Sequence, residues 1–394
     1  MQRLIHDFSV PAVFAGFITF LIGISVSSVL VIQAAQQLGA SAEQISSWFW
    51  ALGLSIGLSG LILSWVFKYP VATSWSTAGL ALIIASANGY SLNQAIGAFL
   101  VCGICTALLG FLGVFEKILN YIPQSLTSAM LAGILLKFGI AVFGHLNQAW
   151  EFILSLLLIF VIAKKMLPRY SIVITVIASF LICPLFMQFH IPHLSWSLTQ
   201  PVWIQPQFSL TAILGLALPL LIINMASQYL PGLAMIKSYG YHPHIRQLVG
   251  WTGVIQSCFA PFGAFSTTIA AISAAVSLDY QVHPNPKKRY IAGMSCGLFY
   301  ILMGLFASTL TGLLMAVPEA FIVTLAGIAL FATIGHNISL AFKQDSDRDA
   351  ALMTFLFAAS GVQFFGVGSA FWGLLFGCLV QGILKLKHQS SALS

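Results

Sequence analysis

PVATSWSTAG, residues 70–79, and PFGAFSTTIA, residues 261–270, each interrupt a long apolar region of this chain. Each stretch begins at a proline, continues through hydroxyl and small residues, and becomes apolar again. Proline followed by β-branched and small residues opens a helix to extended backbone, and the residues beyond it begin a half-helix with free N–H groups. In a bilayer, such backbone survives only where it is buried in protein or lines a cavity.

The two stretches form a matched pair, since alignment on their prolines places Ser76 on Thr267 and Thr77 on Thr268. Paired interruptions at matching positions of two halves indicate the binding site of a transporter. The alternative interpretation is a pair of kinked helices that pack through small residues. The matched pair favours the binding-site interpretation.

The composition identifies the class of protein. Of the 394 residues, 59% are hydrophobic and only 6% are charged, whereas a soluble domain carries about 25% charge. The chain is therefore expected to be an integral membrane protein, and its net charge of +7 is explained by basic residues that flank membrane spans rather than by nucleic-acid binding.

The chain carries no motif for a metal, a cofactor or catalysis. Zinc spacings, phosphate loops and dinucleotide fingerprints are absent from the sequence. Cys102 and Cys105 form a C-x-x-C within an apolar run, where two small packing residues are the expected interpretation. Without a nucleophile–base pair, we expect neither an enzyme nor a cofactor.

Apolar segments divide the chain into two halves of seven, separated by a loop at 190–208. An odd number of spans in each half makes the halves inverted repeats, which predicts an all-α fold of about fourteen spans. The third and tenth segments are shorter than the ~20 residues that a bilayer demands and are expected to be broken helices. The predicted segments lie near 12–35, 44–67, 71–86, 93–114, 123–143, 149–166, 170–189, 209–236, 246–260, 265–279, 289–315, 318–341, 350–366 and 367–386.

Basic residues predict the orientation. Fifteen of the sixteen lysines and arginines fall in segments on one side of the bilayer, and only Lys137 lies inside a span. Because cytoplasmic loops carry an excess of basic residues, both termini are expected in the cytoplasm, with the chain in a bacterial-type inner (plasma) membrane. The fifteen residues are Arg3, Lys68, Lys117, Lys164, Lys165, Arg169, Lys237, Arg246, Lys287, Lys288, Arg289, Lys343, Arg348, Lys385 and Lys387.

Three motifs carry a resemblance to a known family. NMASQYLPG at 224–232, APFGAFSTT at 260–268 and the opening DFSVPAVFAGF at 7–17 resemble the BenE-type benzoate:proton symporters, within the fold of the nucleobase–ascorbate (uracil permease-like) and SulP transporters. The resemblance implies a core domain, residues 1–114 and 209–315, and a gate domain, residues 115–208 and 316–394. It also implies a substrate held between the third and tenth half-helices, against the first and eighth spans.

One departure from that fold bears on the substrate. Nucleobase members place glutamates on the eighth and tenth helices, where this chain has Ser227 or Gln228, and Thr267. Glutamate accepts hydrogen bonds from a nucleobase but repels a carboxylate. The missing acids therefore favour an anionic substrate over uracil. The resemblance implies that this substrate is benzoate or a similar aromatic carboxylate, imported with protons.

The predicted site combines two half-helix N-termini, which favour an anion, with polar side chains and an aromatic wall. Phe265 is the first candidate for that wall, because offset ring stacking would suit an aromatic substrate, and Trp75 is the second. For the amides of Asn224 and Gln228, packing between helices is the alternative to substrate binding. For Lys137, the alternative to a functional role is a side chain that snorkels to the interface. For His336, the alternative to proton transfer is an interfacial position. The proposed substrate-binding residues are Ser76, Thr77, Asn224, Ser227, Gln228, Phe265, Ser266 and Thr267.

Several alternatives stay open at this stage. A permease of the same fold for another organic anion or a nucleobase would share these features, and an anion channel is a more distant rival. No acidic residue lies deep in a predicted span, so the proton carrier is not identified. A G-x-x-x-G at 373–377 allows packing within the chain or in a homodimer.

Overall fold

Several helix ends follow from capping residues that the sequence places beside apolar segments. Ser41 and Ser91 each begin a helix through a capping box, with Gln44 and Gln94 as the reciprocal partners. The first of these helices ends at Lys68 and the second at Gly113, both in the left-handed conformation that closes a helix. The computed structural model describes residues 7–114, 123–186, 196–270 and 273–391.

Each predicted segment overlaps a helix, or a short strand followed by a helix, in the described residues. The helices are α1 (Val10–Gln37), α2 (Ala42–Phe67), α3 (Thr77–Ser86), α4 (Leu92–Leu112), α5 (Gln124–Gly144), α6 (Leu146–Met166), α7 (Ser171–Phe186), α8 (Leu210–Ser238), α9 (Ile245–Phe259), α10 (Ala274–Leu278), α11 (Tyr290–Leu305, continued after a 69° bend by Ala307–Met315), α12 (Glu319–Ala341), α13 (Arg348–Ser360) and α14 (Ser369–Ser391). Single 3₁₀ turns lie at Ala87–Gly89, Pro168–Tyr170, Ala260–Phe262, Pro286–Lys288 and Asp345–Asp347.

The number of spans is only partly supported. Among the described residues, six helices are long and apolar enough to cross a membrane, or eight if each bent pair is one span. The broken third and tenth segments are seen directly, as β1 (Thr73–Ser74) before α3 and β2 (Thr268–Ile269) before α10. The total of fourteen spans stays a prediction. Arg3, Lys117, His190 and His193 lie outside the described residues.

Two helix pairs pack closely through glycine. On α2, Gly53 and Gly57 face Gly304 and Gly297 of α11, and added Cβ atoms at the α2 positions would meet α11 backbone at 2.6 and 2.5 Å. The pair α4 and α9 meets in the same way through Gly103 and Gly253. Small residues let membrane helices approach to backbone contact, so these crossings make a dense body around the two strands.

A second body contains the remaining helices. Here α5 packs against α12 and α13, α13 packs against α14, and α6 packs against α7. The two bodies meet where α1 contacts α7 and α12, where α3 contacts α5, and where α8 contacts α5 and α14. The strand-bearing segments therefore belong to the first body, and α3 of the third segment contacts the second body.

The strands β1 and β2 pair antiparallel, with Thr73 opposite Ile269 and Ser74 opposite Thr268. The left-handed residues Lys68 and Gly263 precede the two strands by the same five positions. The strands and the turns of the two halves thus lie 195 positions apart in the sequence, whereas the two prolines lie 191 positions apart. The structural counterpart of Thr268 is therefore Thr73, and alignment on the prolines misplaces the repeat by four residues. Pro70 follows the left-handed turn, while Pro261 precedes it inside a 3₁₀ turn.

An extended strap, residues 196–208, lies across the first body. Its backbone bonds successively to Leu305 O through Thr199 N, to Ser47 Oγ through Val202 N and to Pro261 O through Ile204 N, at 2.8 to 2.9 Å. Asn93 then forms two bonds to the strap, each at 2.9 Å: its side-chain Nδ2 donates to Gln205 O, and its backbone carbonyl accepts from Gln207 N. The strap ties α2, α4, α11 and the turn before β2 together.

Candidate functional site

The two broken segments are held against each other by backbone and hydroxyl bonds. Thr268 Oγ1 donates to Ser74 O at 2.9 Å, and Ala270 N donates to Ala72 O at the same distance. Strand pairing satisfies backbone groups that a continuous helix would otherwise pair. This is how extended backbone survives inside an apolar protein.

Side chains alternate along the segment that leads into β2. Phe265 and Thr267 both face α2, because the Phe265 ring tilts against Trp48 and Thr267 Oγ1 donates to Ser55 Oγ at 3.0 Å. Ser266 is fully buried between them, and its hydroxyl has no partner within the described residues. Ser266 is therefore the hydroxyl of this segment that is left available to a ligand.

Helix α8 crosses both broken segments and is itself irregular. Two π-helical turns, Ile213–Ala217 and Met225–Tyr229, interrupt it, and such turns are frequent at functional sites. The second turn packs against β2, while the preceding Leu218–Asn224 packs against α3. Asn224 thus lies at the crossing.

Asn224 is 1% exposed, and neither atom of its side-chain amide has a partner in the described part of the chain. A buried amide without a hydrogen bond is costly, so the position favours a polar ligand over packing alone. Ser227 Oγ donates to Ile223 O of its own helix at 2.7 Å, and Gln228 is half-buried. Of the three α8 residues predicted for the site, Asn224 is the one that is buried with both amide atoms without a partner in the described residues.

In the first broken segment, the hydroxyl of Ser76 has a structural partner, unlike the hydroxyl of Ser266. Ser76 is fully buried and caps α3, accepting from Gly79 N at 3.0 Å. Thr77 is the first residue of α3 and is half-buried. Trp75 donates through Nε1 to Ser27 Oγ of α1 and packs edge-on against Phe49, so it braces the site from behind.

The half-helix N-termini are unequal. Helix α3 has ten residues and presents its first turn beside Ser76. Helix α10 spans only Ala274–Leu278, and residues 271–272, where its predicted N-terminus falls, lie outside the described residues. The anion-attracting end of the third segment is thus described, whereas that of the tenth stays a prediction.

The two ionisable residues singled out within the predicted spans, Lys137 and His336, are both exposed. Lys137 has its Nζ beside Gly361, the left-handed residue that ends α13. A cation at a helix C-terminus is stabilised by the helix dipole, which gives Lys137 a structural role. Among the described residues, no group of three or more His, Cys, Asp or Glu could hold a metal ion.

One acidic residue departs from the sequence interpretation. From its charged sequence, the stretch 345–349 is expected to be a solvated loop. In the structure, however, Asp347 is only 5% exposed. Its Oδ2 accepts from Ser125 Oγ of α5 at 2.7 Å, so contact between α5 and the start of α13 removes it from water. Hydropathy could not show this, because the partner lies 222 positions away.

Sequence reasoning missed several polar residues around the broken segments. Gln33 of α1 has a buried Oε1 without a partner in the described chain, and it corresponds to Gln228 at the separation of 195. Gln256 and Tyr229 bond directly to the backbone beside Ser266. In the sequence, Gln33 to Gln37 resembles Asn224 to Gln228, which pairs Gln33 with Asn224 rather than with Gln228. Gln256 and Tyr229 carried no signal beyond being polar in an apolar run.

Comparisons with known proteins agree with this architecture. A family model described as "Benzoate membrane transport protein" matches residues 6–383. The chain is 40% identical to the inner membrane protein YdcO of Escherichia coli K12 over 95% of this chain and 96% of that protein. It is 36% identical to a benzoate membrane transport protein of Acinetobacter baylyi over 99% of both chains.

Solved structures show the fold. The transmembrane domain of the cyanobacterial bicarbonate transporter BicA aligns with a TM-score of 0.61 and 14% identity, covering 95% of this chain and 96% of that one. A structure of SLC26A9 aligns with a TM-score of 0.65 and 14% identity, and covers 98% of this chain but only 66% of that longer one. At this identity the likeness establishes a shared fold and nothing finer.

Proposed function

Because the chain belongs to the benzoate membrane transport family, and is thus a membrane transporter and not an enzyme, we propose that it imports benzoate or a similar aromatic carboxylate together with protons. Transport would proceed by alternating access, with a core of residues 1–114 and 209–315 moving against a gate of residues 115–208 and 316–394. The packing of the helices into two bodies, which meet through α1, α3 and α8, supports that division for the helices, whereas the strap 196–208 is bonded to the core.

The observation that carries the proposal is the pair of unused polar groups at the crossing of α8 with the broken segments. The Asn224 amide and the Ser266 hydroxyl are buried and without partners in the described residues. Both can donate to a carboxylate, and the N-terminus of α3 adds a partial positive charge. The remaining predicted residues, Ser76, Thr77, Ser227, Gln228, Phe265 and Thr267, complete the proposed site as capping, lining or supporting groups.

The substrate class follows from what surrounds these groups. The sequence has Ser227 or Gln228, and Thr267, at the places where nucleobase permeases carry glutamate. A glutamate carboxylate at either place would repel an anionic substrate, because charges interact more strongly in the low dielectric of the protein interior than in water. The rings of Phe265, Trp48 and Phe99 pack on one another at 5.6 to 6.4 Å, on the face of this segment opposite Ser266, and so support the backbone that carries the Ser266 hydroxyl.

Ligand-induced stabilisation tests the substrate class. A ligand that binds only the native state stabilises it by RT ln(1 + [L]/Kd), about 2.7 kcal/mol at a hundredfold excess over Kd. We expect benzoate to raise the melting temperature of the purified protein, and uracil and sulfate to leave it unchanged. Stabilisation by uracil alone would identify a nucleobase permease, and stabilisation by sulfate alone an inorganic-anion transporter.

The membrane setting is part of the same proposal. The distribution of basic residues supports a bacterial-type inner membrane with both termini in the cytoplasm. A channel is the less favoured alternative, since polarity is concentrated at one enclosed crossing rather than along a pore. Counterflow of labelled benzoate would distinguish a carrier from a channel, because only a carrier exchanges substrate across a closed barrier.

A further inference from the structure

Gln256 of α9 makes contacts that no site assignment above uses. Its side chain is fully buried. Nε2 donates to Phe265 O at 3.1 Å and to Phe99 O at 3.2 Å, and Oε1 accepts from Thr267 N at 3.2 Å. One side-chain amide therefore joins the backbone of α4 to the backbone on both sides of Ser266.

The two bonds that bracket Ser266 imitate a neighbouring β-strand. In a paired strand, the backbone groups of alternate residues bond to the same partner, and the side chain of the residue between them points to the opposite face. Here Gln256 takes the place of the partner strand for Phe265 and Thr267. The side chains of both residues face α2, so Ser266 is turned the other way.

Thr267 is held from three sides. Besides the bond from its N–H to Gln256, its carbonyl accepts from Tyr229 Oη at 3.0 Å and its hydroxyl donates to Ser55 at 3.0 Å. Tyr229 is in turn within 2.8 Å of Thr252 Oγ1 on α9. Every polar group of Thr267 is thus bonded to a helix of the core, whereas the neighbouring Ser266 hydroxyl is the one left without a partner in the described chain.

We propose that Gln256 is a positioning residue for substrate binding: it fixes the backbone of 265–267 so that the Ser266 hydroxyl is presented to the substrate. This inference rests on the proposed function, in which Ser266 contacts the ligand. Gln256 does not itself touch the ligand, since both ends of its amide are used on backbone. The competing explanation is that Gln256 only holds α9 against α4 and contributes to stability.

A double-mutant cycle separates the two roles. The variants are Gln256→Met, which keeps the length but loses every bond, Ser266→Ala, and the pair. We expect Gln256→Met to weaken benzoate binding at least tenfold in the parent background and less than twofold in the Ser266→Ala background, since the group it positions is then absent. A purely structural role would lower the melting temperature and change affinity equally in both backgrounds.

Ser257→Ala is the matched control. Ser257 is the next residue on α9, and its hydroxyl donates only within the helix, to Gly253 O at 2.8 Å. Its affinity for benzoate should stay within twofold of the parent. Unchanged affinity in Gln256→Met, or no loss in Ser266→Ala, would overturn the positioning role.

A second variant covers the case in which Gln256→Met does not fold. Gln256→Glu keeps an acceptor for Thr267 N–H, and its protonated form also keeps one donor for Phe265 O. Relative to the parent, its affinity should fall as pH rises and the carboxyl loses that donor. A ratio of affinities that stays at one across pH 5 to 8 would contradict the proposal.

Failure of the substrate proposal gives a different result. If the parent is not stabilised by benzoate, the substrate assignment is wrong, and the same cycle is then measured with whichever of uracil or sulfate stabilises it. Loss of the Gln256 effect in the Ser266→Ala background would support the positioning role with that ligand, and equal effects in both backgrounds would refute it.

Discussion

At the residue scale, two adjacent hydroxyls in one segment have different surroundings. Ser266 has no partner in the described residues, while Thr267 Oγ1 bonds to Ser55. The sequence assigns both to the substrate, because both belong to one polar stretch. Alternation along extended backbone separates them, since neighbouring side chains point to opposite faces.

Ser266→Ala should therefore weaken benzoate binding while the protein stays folded. A hydrogen bond to a charged group contributes about 1.5–3 kcal/mol, which corresponds to roughly ten- to a hundredfold in Kd. Titration calorimetry of the purified variant would measure the change. In Thr267→Val only the bond to Ser55 is lost, so we expect a lower melting temperature with affinity within twofold of the parent. The reverse pattern would place Thr267, and not Ser266, on the ligand.

At the scale of elements, glycine contacts between helices hold the broken segments in place. Gly253 of α9 lies against the α4 backbone at Ala107 and Gly103, and α9 is the helix that carries Gln256. Any side chain at Gly253 must push α4 and α9 apart, because the atoms it meets are backbone and cannot rotate away.

Gly253→Val is accordingly expected to destabilise the protein by several kcal/mol, as overpacking of a close helix contact does, and to lower both yield and melting temperature. Gly312→Ala is the control, since Gly312 lies in the last part of α11 with no atom within 4 Å of an added Cβ, and alanine favours a helix over glycine by about 1 kcal/mol. Equal melting temperatures for the two variants would mean that the α4–α9 contact is not as close as described.

At the scale of the whole molecule, charge balance across the membrane predicts the coupling. A carboxylic acid with a pKa near 4 is anionic at neutral pH, and its entry against a negative interior costs about 2.3 kcal/mol per 100 mV. One proton carried with it cancels that charge, and each unit of inward pH gradient adds about 1.4 kcal/mol. The predicted site residues include no acid that could carry this proton.

Uptake of labelled benzoate into proteoliposomes without sodium should follow an imposed pH step, acid outside, at clamped voltage. A protonophore should abolish accumulation, and liposomes without protein provide the background. Uptake that requires sodium and is indifferent to the pH step would show that another ion supplies the driving force.

The sequence by itself determined the class of protein, the positions of the helical segments and the two places where they break. These properties are local: hydropathy over a window reports burial in lipid or protein, and proline with small residues reports an opened helix. The family motifs lie in the same local stretches, so the resemblance to benzoate transporters was also visible without a structure.

Only the tertiary structure decided which polar groups the site leaves free. Thr267 is bonded to Ser55, 212 positions away, and to Tyr229, 38 positions away, and no local pattern reports such a distant partner. The structure also decided how the two halves correspond. Alignment on the prolines matches residues 191 positions apart, whereas the positions of the paired strands match residues 195 apart. A hydroxyl becomes a ligand-binding group or a structural one according to what packs against it, and that depends on contacts between helices far apart in the chain.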